Sequence, residues 1–531
     1  MKTLSLKAAV AAALLGMSLG ASAKPLVVCT EASPEGFDIV QYTTAVTADA
    51  ASETLFNRLV DFTPGTTDIQ PGLAKSWEIS DDGKTYTFHL REGVKFHSTD
   101  YFKPSRTLNA DDMLWSFMRQ FDPGHPWHTK AAMGFPYFDS MAMGTLIKSI
   151  DRVDDMTVRF VLNHSEAPFL RNMAMAFTSI YSAEYADQLL KAGKTAELNS
   201  KPIGTGPFIL TRYSKDAQVR FKANPDYYKG KPPADPLVFA ITTDSNVRVQ
   251  KLRANECQVA LAPRHEDIPG IRADQNLKVD GIDALITSYA AINTTHPYLS
   301  DPRVRQAIQM AFDKPTFVRT VYGEGNATPG VGPYPPTLLG YDAGMKDLPY
   351  DPIKARALLK EAGVPEGTSF TVFVRNGSSV STPNPSLAAQ MLQADLAKVG
   401  LKLQIRVMEW GELLKRVKQG EHDLAFSGWA GDNGDPDNFL SPNLSCAAAA
   451  NGENLARWCN KEFDTLIRNA RETSEPTARA AFYEHAQVIF LQQQPWLSLA
   501  YPHAFTAMRK NIEGFVVSPM NNSNFATTQV K

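Results

Sequence analysis

Strand-like and helix-like patterns alternate along this chain. Thr85–Leu90 alternates in polarity with a period of two and is rich in strand-forming residues, so it predicts a half-buried strand. Pro302 follows Asp301, and Pro352 follows Asp351, at two predicted helix starts, because aspartate suits the N-cap and proline the first helical position. The alternation contains no internal sequence repeat. It therefore predicts a mixed α/β fold.

The N-terminus has the layout of an export signal. Lys2 and Lys7 precede an apolar run at residues 8–17, and small residues at 21–23 form a cleavage site. The run is about half as long as a membrane-spanning helix, which favours a cleaved signal peptide over a membrane anchor. A lipid anchor is not expected, because Cys29 follows the β-branched Val28 where lipoprotein processing needs a small residue. We predict that residues 1–23 are removed and that the mature chain enters a Gram-negative periplasm.

The predicted mature chain contains four cysteines, Cys29, Cys257, Cys446 and Cys459. An even number in an oxidising compartment favours two disulfides, and three pairings are possible. We favour Cys446 with Cys459 and Cys29 with Cys257, because this gives one local loop and one long link to the middle of the chain. The competing zinc site would need a CxxC pair, which the sequence lacks.

Composition and motifs favour binding over catalysis. The formal charge of −2 is spread along the chain, whereas nucleic-acid binders normally carry a basic stripe. The predicted mature chain contains no nucleophile elbow, metalloprotease, P-loop or dinucleotide-binding motif. The acidic segment 431–439 fails as a calcium loop, because Asp437 stands where the sixth position, counted from Asp432, needs glycine. We therefore expect a binding protein with no catalytic residue, metal, cofactor or nucleic-acid partner.

Several segments, in this order and spacing, carry a family resemblance. They are GLAKSW at 72–77, SDDGKTYTFHLREGVKFH at 80–97, LNADD at 108–112, GTGPF at 204–208 and VRQA at 304–307. Over essentially the whole mature chain it resembles the peptide and nickel class of bacterial extracellular solute-binding proteins. Dipeptide-binding members are most similar, through SPEGF at 33–37, NECQV at 255–259, EWGE at 409–412 and GWAGDNGDPDNF at 428–439. The four cysteines also fall where those members carry two disulfides, which supports the favoured pairing.

The resemblance implies a particular α/β architecture. Two lobes are joined by hinge strands and close on a ligand, and an extra subdomain is inserted in the first lobe. The expected boundaries are lobe one at 24–290 with the insertion at about 57–200, lobe two at 291–499, and a tail at 500–531 that returns to lobe one.

The resemblance also implies a set of ligand contacts. The family's ammonium ligand falls on Asp432, for which a turn-capping role is the alternative reading. Trp410 and Trp429 are expected to wall the pocket, with core packing as their alternative. The further predicted contacts are Ala430 and Gly431 beside Asp432, and the segment Tyr42, Thr43, Thr44 and Ala45, whose backbone would pair with the peptide as an added strand.

The sequence departs from the family at the carboxylate end of the ligand. Ungapped alignment back from Gln393 and Asp395 puts Ser379 in place of the family's arginine and Ser381 in place of a pocket tyrosine. A serine offers one neutral hydrogen bond where arginine offers a charged fork, so the carboxylate should be held less strongly. Either Arg375 replaces the missing cation, or the pocket is open there and accepts longer or modified peptides.

The resemblance finally implies a transport role. We expect a monomer that captures short peptides, dipeptides first, by lobe closure and delivers them to an inner-membrane ABC permease. A chemoreceptor is a further candidate partner. The alternatives on the same fold are a binder of glutathione, haem, or longer or modified peptides. A secreted hydrolase is the alternative from another class, but the sequence shows no nucleophile or metal pair for it.

Overall fold

The computed structural model describes residues 24–451, 454–520 and 522–531. The predicted signal peptide at 1–23 lies outside the described residues. Across the three described ranges, none of the helices combines the length and the apolar character needed to cross a bilayer.

The described residues form the following strands and helices. The strands are β1 (Leu26–Thr30), β2 (Val60–Phe62), β3 (Ile69–Pro71), β4 (Ala74–Ile79), β5 (Thr85–Leu90), β6 (Ile147–Asp154), β7 (Thr157–Leu162), β8 (Phe208–Ser214), β9 (Gln218–Ala223), β10 (Leu237–Ile241), β11 (Val259–Leu261), β12 (Leu277–Asp283), β13 (Ile286–Ile292), β14 (Ala327–Pro329), β15 (Ser369–Arg375), β16 (Lys402–Met408), β17 (Leu424–Ala430), β18 (Trp496–Arg509), β19 (Ile512–Glu513) and β20 (Gln529–Val530). The helices are α1 (Ala45–Ala50), α2 (Ala110–Phe121), α3 (Pro136–Ser140), α4 (Met143–Leu146), α5 (Phe169–Asn172), α6 (Ala183–Lys191), α7 (Ser245–Arg253), α8 (Ile268–Arg272), α9 (Pro302–Ala311), α10 (Lys314–Tyr322), α11 (Pro352–Glu361), α12 (Pro385–Lys398), α13 (Trp410–Lys418), α14 (Asp437–Leu444), α15 (Cys446–Asn451), α16 (Lys461–Glu472) and α17 (Pro476–Gln493).

One long strand, β18, connects the two ends of a 12-stranded mixed sheet. The main path is β16-β15-β17-β13-β18-β11-β1-β10-β9-β8, and β12 and β14 also pair with β18. The first part of β18 pairs with β13 and β14, whereas its last part pairs with β11 and β12. Strands β15, β16 and β17 are parallel to one another, as are β1, β10 and β11. This mixture of sheet and helices confirms the α/β class.

Two lobes meet at β18. The first lobe surrounds a core that runs from Leu26 to Leu261 and includes Phe515 and Phe525 near the C-terminus. The second lobe surrounds two cores built from residues between Leu285 and Ala500. A separate antiparallel sheet, β4-β5-β7-β6, packs with α2 in the first lobe. The residue boundaries of the lobes and of the insertion stay predictions.

Local sequence signals agree with the structure where they are strongest. Along Thr85–Leu90, partly buried and buried residues alternate, as the period of two predicts. Asp301 accepts a hydrogen bond from the backbone of Arg303 at 2.8 Å, and Asp351 from Lys354 at 2.9 Å. Both predicted helix starts are therefore confirmed, since an N-cap side chain satisfies a backbone amide that has no partner within the helix.

Both predicted cysteine pairs are confirmed. Cys29 and Cys257 are 228 residues apart in sequence, and their Cα atoms are 5.8 Å apart. Cys446 and Cys459 are 13 residues apart, with Cα atoms 4.5 Å apart. Cys29 lies on β1, which pairs in parallel with β11, and Cys257 lies two residues before β11 begins. The long link therefore joins β1 to the segment that leads into its neighbouring strand.

Candidate ligand-binding site

A cavity of about 180 Å³ lies between the two lobes. Its lining residues are Tyr42, Thr43, Thr44, Ala45, Ala48, Glu53, Phe62, Tyr137, Ala174, Met175, Ala176, Ala430, Asp432, Met520 and Asn522. Ala430 and Asp432 come from the second lobe, and Met520 and Asn522 from the C-terminal segment. Because both lobes contribute walls, a change in their relative position would open or close the cavity.

Asp432 supplies the carboxylate on the second-lobe side. Burial raises the pKa of Asp432 from 3.8 to about 6, and the polar side chains of Tyr137 and Asn438 only partly offset the increase. Among the described residues, no lysine or arginine lowers its pKa as a charged partner. Within the part of the chain that the structure describes, the site therefore holds a desolvated carboxylate without a cationic partner.

The loop that carries Asp432 is fixed by its own sequence. Asn438 accepts hydrogen bonds from the Asp432 backbone at 3.1 Å and from the Trp429 indole at 3.2 Å. Gly431 lies so close to the ring of Phe439 that a Cβ atom would be 2.6 Å from it. A side chain at this position would push the loop away from the helix α14. The GWAGDNGDPDNF segment thus encodes the backbone path that presents Asp432.

Three residues after Asp432, Asp435 is held by a different environment. Two nitrogens of Arg479 each approach a carboxylate oxygen of Asp435 at 3.0 Å, and the Tyr483 hydroxyl lies at 3.3 Å. Asp435 also accepts a hydrogen bond from the backbone of Asp437. Such a bidentate pair fixes the carboxylate in position. Asp435 therefore anchors the loop to α17 and takes no part in lining the cavity.

The first-lobe wall is an extended piece of backbone. Tyr42 and Thr44 have extended backbone angles on either side of Thr43, just before α1 begins at Ala45. The Tyr42 hydroxyl accepts a hydrogen bond from Asn199, and the Thr44 hydroxyl donates one to Glu35, both at 2.9 Å. These bonds hold the segment against the first lobe. An extended segment in this position suits pairing with a ligand backbone.

The lobes also touch each other beside the cavity. The side-chain amide of Asn433 donates to Asn172 at 2.8 Å, across a sequence separation of 261. Arg471 approaches Glu166 at 3.4 Å, and its carbonyl accepts a hydrogen bond from the backbone of Ala167 at 2.7 Å. Burial raises the pKa of Glu166 to about 8, although Arg471 opposes the rise. The described arrangement is therefore a closed one.

The structure brings six of the predicted contact residues to the cavity wall: Tyr42, Thr43, Thr44, Ala45, Ala430 and Asp432. Trp429 and Gly431 belong to the same segment but do not line the cavity in this structure. Trp429 packs partly against a second-lobe core, and Gly431 packs on Phe439. Trp429 and Gly431 instead help to position Asp432.

Four other predicted contacts are not brought to the cavity. Ser379 accepts a hydrogen bond from the backbone of Thr382 at 3.0 Å and lies 3.2 Å from the Ser381 hydroxyl, so both serines are satisfied within their own turn. The guanidinium of Arg375 lies 5.0 Å from the ring centre of Trp410, a cation–π contact that keeps both residues together outside the lining. The structure thus does not support the expectation that Arg375 reaches into the cavity.

Sequence reasoning did not identify several lining residues. Tyr137 lies at the start of the short helix α3, and Met175, Phe62 and Met520 come from three further segments. Glu53 is a second carboxylate in the lining. None belongs to a recognisable motif, and a buried methionine or aromatic residue looks like any core residue in a sequence. These residues come together at the cavity only in the tertiary structure.

Comparisons with known proteins identify close relatives. The family described as "Bacterial extracellular solute-binding proteins, family 5 Middle" matches residues 68–451. Di/tripeptide-binding protein 4 of Pseudomonas aeruginosa is 65% identical to this chain over 511 residues, which cover 96% of both chains.

Two solved structures match nearly the whole chain. HbpA2 from Haemophilus parasuis has a TM-score of 0.89 and 40% sequence identity, covering 96% of this chain and 100% of its own. A dipeptide-binding protein from Pseudoalteromonas sp. SM9913, in complex with Met-Leu, has a TM-score of 0.85 and 36% identity with the same coverage of both chains.

Proposed function

We propose that this chain, which belongs to family 5 of the bacterial extracellular solute-binding proteins, captures short peptides, dipeptides first, and delivers them to an ABC importer. The observation that carries the proposal is Asp432, a desolvated carboxylate without a cationic partner among the described residues, placed in a cavity between two lobes. The 65% identity with a di/tripeptide-binding protein supports a peptide as the ligand.

The ammonium group of the peptide is the natural partner of Asp432. A buried carboxylate is costly unless it is paired, and a ligand ammonium supplies the missing charge and the hydrogen-bond donors. The Tyr137 hydroxyl, which also lies 3.4 Å from the carbonyl oxygen of Thr43, fixes the carboxylate opposite the extended segment. The ammonium of the peptide would therefore be bound next to the strand that its backbone pairs with.

The remaining walls suit a receptor for many side chains. Pairing with the backbone of Thr43 and Thr44 would read peptide backbone and length, not side-chain identity. Met175 and Met520 have flexible, polarisable side chains that adapt to different shapes. Binding and lobe closure complete the task, so no bond is made or broken and we expect no enzymatic activity.

The cellular setting follows from the family and the N-terminal sequence. Residues 1–23 would direct export and be removed, leaving an unlipidated monomer in the periplasm. Its partners would be the inner-membrane permease of an ABC importer and, as a further candidate, a chemoreceptor that reads the closed form. Mass spectrometry of the mature N-terminus checks the predicted cleavage.

Calorimetry with a ligand panel tests the proposed function. The panel contains Ala-Ala, Ala-Ala-Ala, glutathione and haem, each added to protein that has been unfolded and refolded to remove bound ligand. We expect the di- and tripeptide to bind. Binding of glutathione or haem with no response to either peptide would contradict the proposal, and the appearance of free alanine after incubation with Ala-Ala would indicate a hydrolase.

A further inference from the structure

We infer that the peptide cavity continues into a second chamber and that Glu53, in the passage between them, binds the basic side chain of a lysine- or arginine-containing peptide. The inference rests on the proposed function, because it assigns a preferred class of peptide to the same site. It adds a specificity-determining residue that the sequence motifs do not contain.

The second chamber has a volume of about 330 Å³ and adjoins the peptide cavity. Four residues line both spaces: Glu53, Phe62, Met520 and Asn522. Because the same four residues line both spaces, the two spaces share a wall. Phe62 and the flexible Met520 offer apolar surface to the aliphatic stem of a lysine or arginine.

The described residues do not fill the hydrogen-bonding capacity of Glu53, a buried carboxylate. Only 7% of the residue is exposed. It accepts hydrogen bonds from Arg58 at 2.9 Å and Asn524 at 3.1 Å, and a long one from Asn522 at 3.4 Å. An ionised carboxylate can accept about four hydrogen bonds, so one further donor can be bound.

Arg58 and Lys229 are the cations that pair with Glu53 and the neighbouring Asp61. Arg58 approaches Glu53 at 2.9 Å and Asp61 at 3.3 Å, and Lys229 pairs with Asp61 at 2.8 Å. Among the described residues, Glu53 therefore has one cationic partner, Arg58, which also contacts Asp61.

The surroundings of the passage are negative on the side of the peptide cavity. The charged residues that line this cavity are Asp432 and Glu53, and no lysine or arginine is among its described lining residues. A cationic group that leaves the peptide cavity through this passage would be attracted.

An acidic side chain of the peptide would be repelled by Glu53. It would have to pass Glu53 before it reached Arg58, and the terminal nitrogens of Arg58 already donate to Ser52, Glu53 and Asp61. A neutral side chain of the same length would gain the apolar contacts with Phe62 and Met520 but no ion pair. The geometry therefore favours a basic side chain over both.

Calorimetry with matched peptides tests the inference. The probes are Ala-Lys and Lys-Ala with their norleucine counterparts, which keep the four-carbon stem and remove the charge, together with Ala-Glu and Ala-Ala. At one of the two positions, we expect the wild-type protein to bind the lysine peptide at least about tenfold more tightly, as a charge-assisted contact in a buried site allows. In Glu53→Gln, the ratio should fall to within about threefold while the norleucine peptides keep their affinities.

Two further variants separate the ion pair from general effects. Glu92→Gln removes the same charge from an exposed residue that lines neither space, and it should leave the lysine preference unchanged. Ala526→Trp adds bulk to a residue that lines only the second chamber, and it should weaken the lysine and norleucine peptides while Ala-Ala binds as before.

Three results would overturn the inference. They are equal binding of lysine and norleucine peptides by the wild-type protein, a lysine preference that survives in Glu53→Gln, and tightest binding of Ala-Glu, which would assign the chamber to Arg58. A wild-type protein that binds none of the peptides, Ala-Ala included, would instead contradict the proposed function.

Discussion

Asp432 and Asp435 lie three residues apart in one loop, yet their environments differ completely. Asp435 is 1% exposed and bound by both terminal nitrogens of Arg479 at 3.0 Å. Among the described residues, the polar partners of the Asp432 carboxylate are the neutral Tyr137 and Asn438, and burial raises its pKa to about 6. Asp435 has its counter-charge within the protein, whereas the described residues supply none to Asp432.

This difference suggests a structural role for Asp435 and supports the proposed ligand-binding role of Asp432. A buried ion pair with good geometry holds a loop in place, and breaking it leaves an uncompensated charge. A buried carboxylate without a cation lowers stability, and proteins keep such a residue when a ligand supplies the missing charge. Asp435 therefore holds the loop in place, and we expect Asp432 to bind the ligand.

The largest expected effect is on protein stability, through the ion pair between Asp435 and Arg479. In Arg479→Met, Asp435 would remain buried without its cation, and we expect the free energy of unfolding to fall by about 3–5 kcal/mol. Chemical denaturation measures this change. A double variant with Asp435→Asn should recover part of the loss, because the uncompensated charge is then absent. A loss below about 1 kcal/mol in the single variant would mean that the pair does not anchor the loop.

The next effect is on ligand affinity. Asp432→Ala removes the partner of the peptide ammonium, and we expect binding of Ala-Ala to weaken by about 2–5 kcal/mol. Calorimetry measures the affinity, and the thermal unfolding of the variant serves as the control for its fold. Unchanged affinity in a folded variant would show that Asp432 is a turn residue only.

Replacing Asp432 should stabilise the ligand-free protein, although it weakens ligand binding. The folded-state pKa of Asp432 is about 6, above the ordinary 3.8, so the ionised carboxylate destabilises the fold at higher pH. Its cost is complete above about pH 6 and disappears as the pH falls below about 4. Asp432→Asn should therefore raise the free energy of unfolding at pH 7 by about 1–2 kcal/mol, with little change at pH 4. Denaturation at both pH values checks this, and a destabilised variant at pH 7 would contradict it.

The smallest expected effect is at the carboxylate end of the peptide. No lysine or arginine is among the described residues of the cavity wall, and Arg375 is held on Trp410. We expect C-terminally amidated dipeptides and tripeptides to bind within about tenfold of free dipeptides, a difference of about 1.4 kcal/mol. Competition calorimetry measures it. A loss of about a hundredfold on amidation would mean that a cation does hold the carboxylate, and Arg375→Ala would then identify or exclude Arg375.

The same loop shows how far sequence reasoning reaches. The position of Asp432 was predictable because Gly431 and Asn438 fix the backbone path locally, and such constraints leave a recognisable motif. The helix starts at Asp301 and Asp351 were predictable for the same reason, since a cap depends on neighbours within a few residues.

Other parts of the site depend on contacts that cannot be predicted from the sequence. Ser379 and Ser381 stay in their turn because their hydroxyls find partners there, which alignment with a family arginine does not reveal. Tyr137 and Glu53 reach the cavity only because distant segments are packed together. Their residue types and spacing are equally compatible with ordinary burial.

A double-mutant cycle tests most directly the claim that Asp432 binds the ammonium of the peptide. Calorimetry would compare Ala-Ala and N-acetyl-Ala-Ala, which lacks the ammonium, on the wild-type protein and on Asp432→Asn. We predict that acetylation weakens wild-type binding by about 2–5 kcal/mol and has an effect smaller by at least about 1 kcal/mol on the variant. Equal losses on both proteins would contradict the account, because the ammonium would then be bound elsewhere.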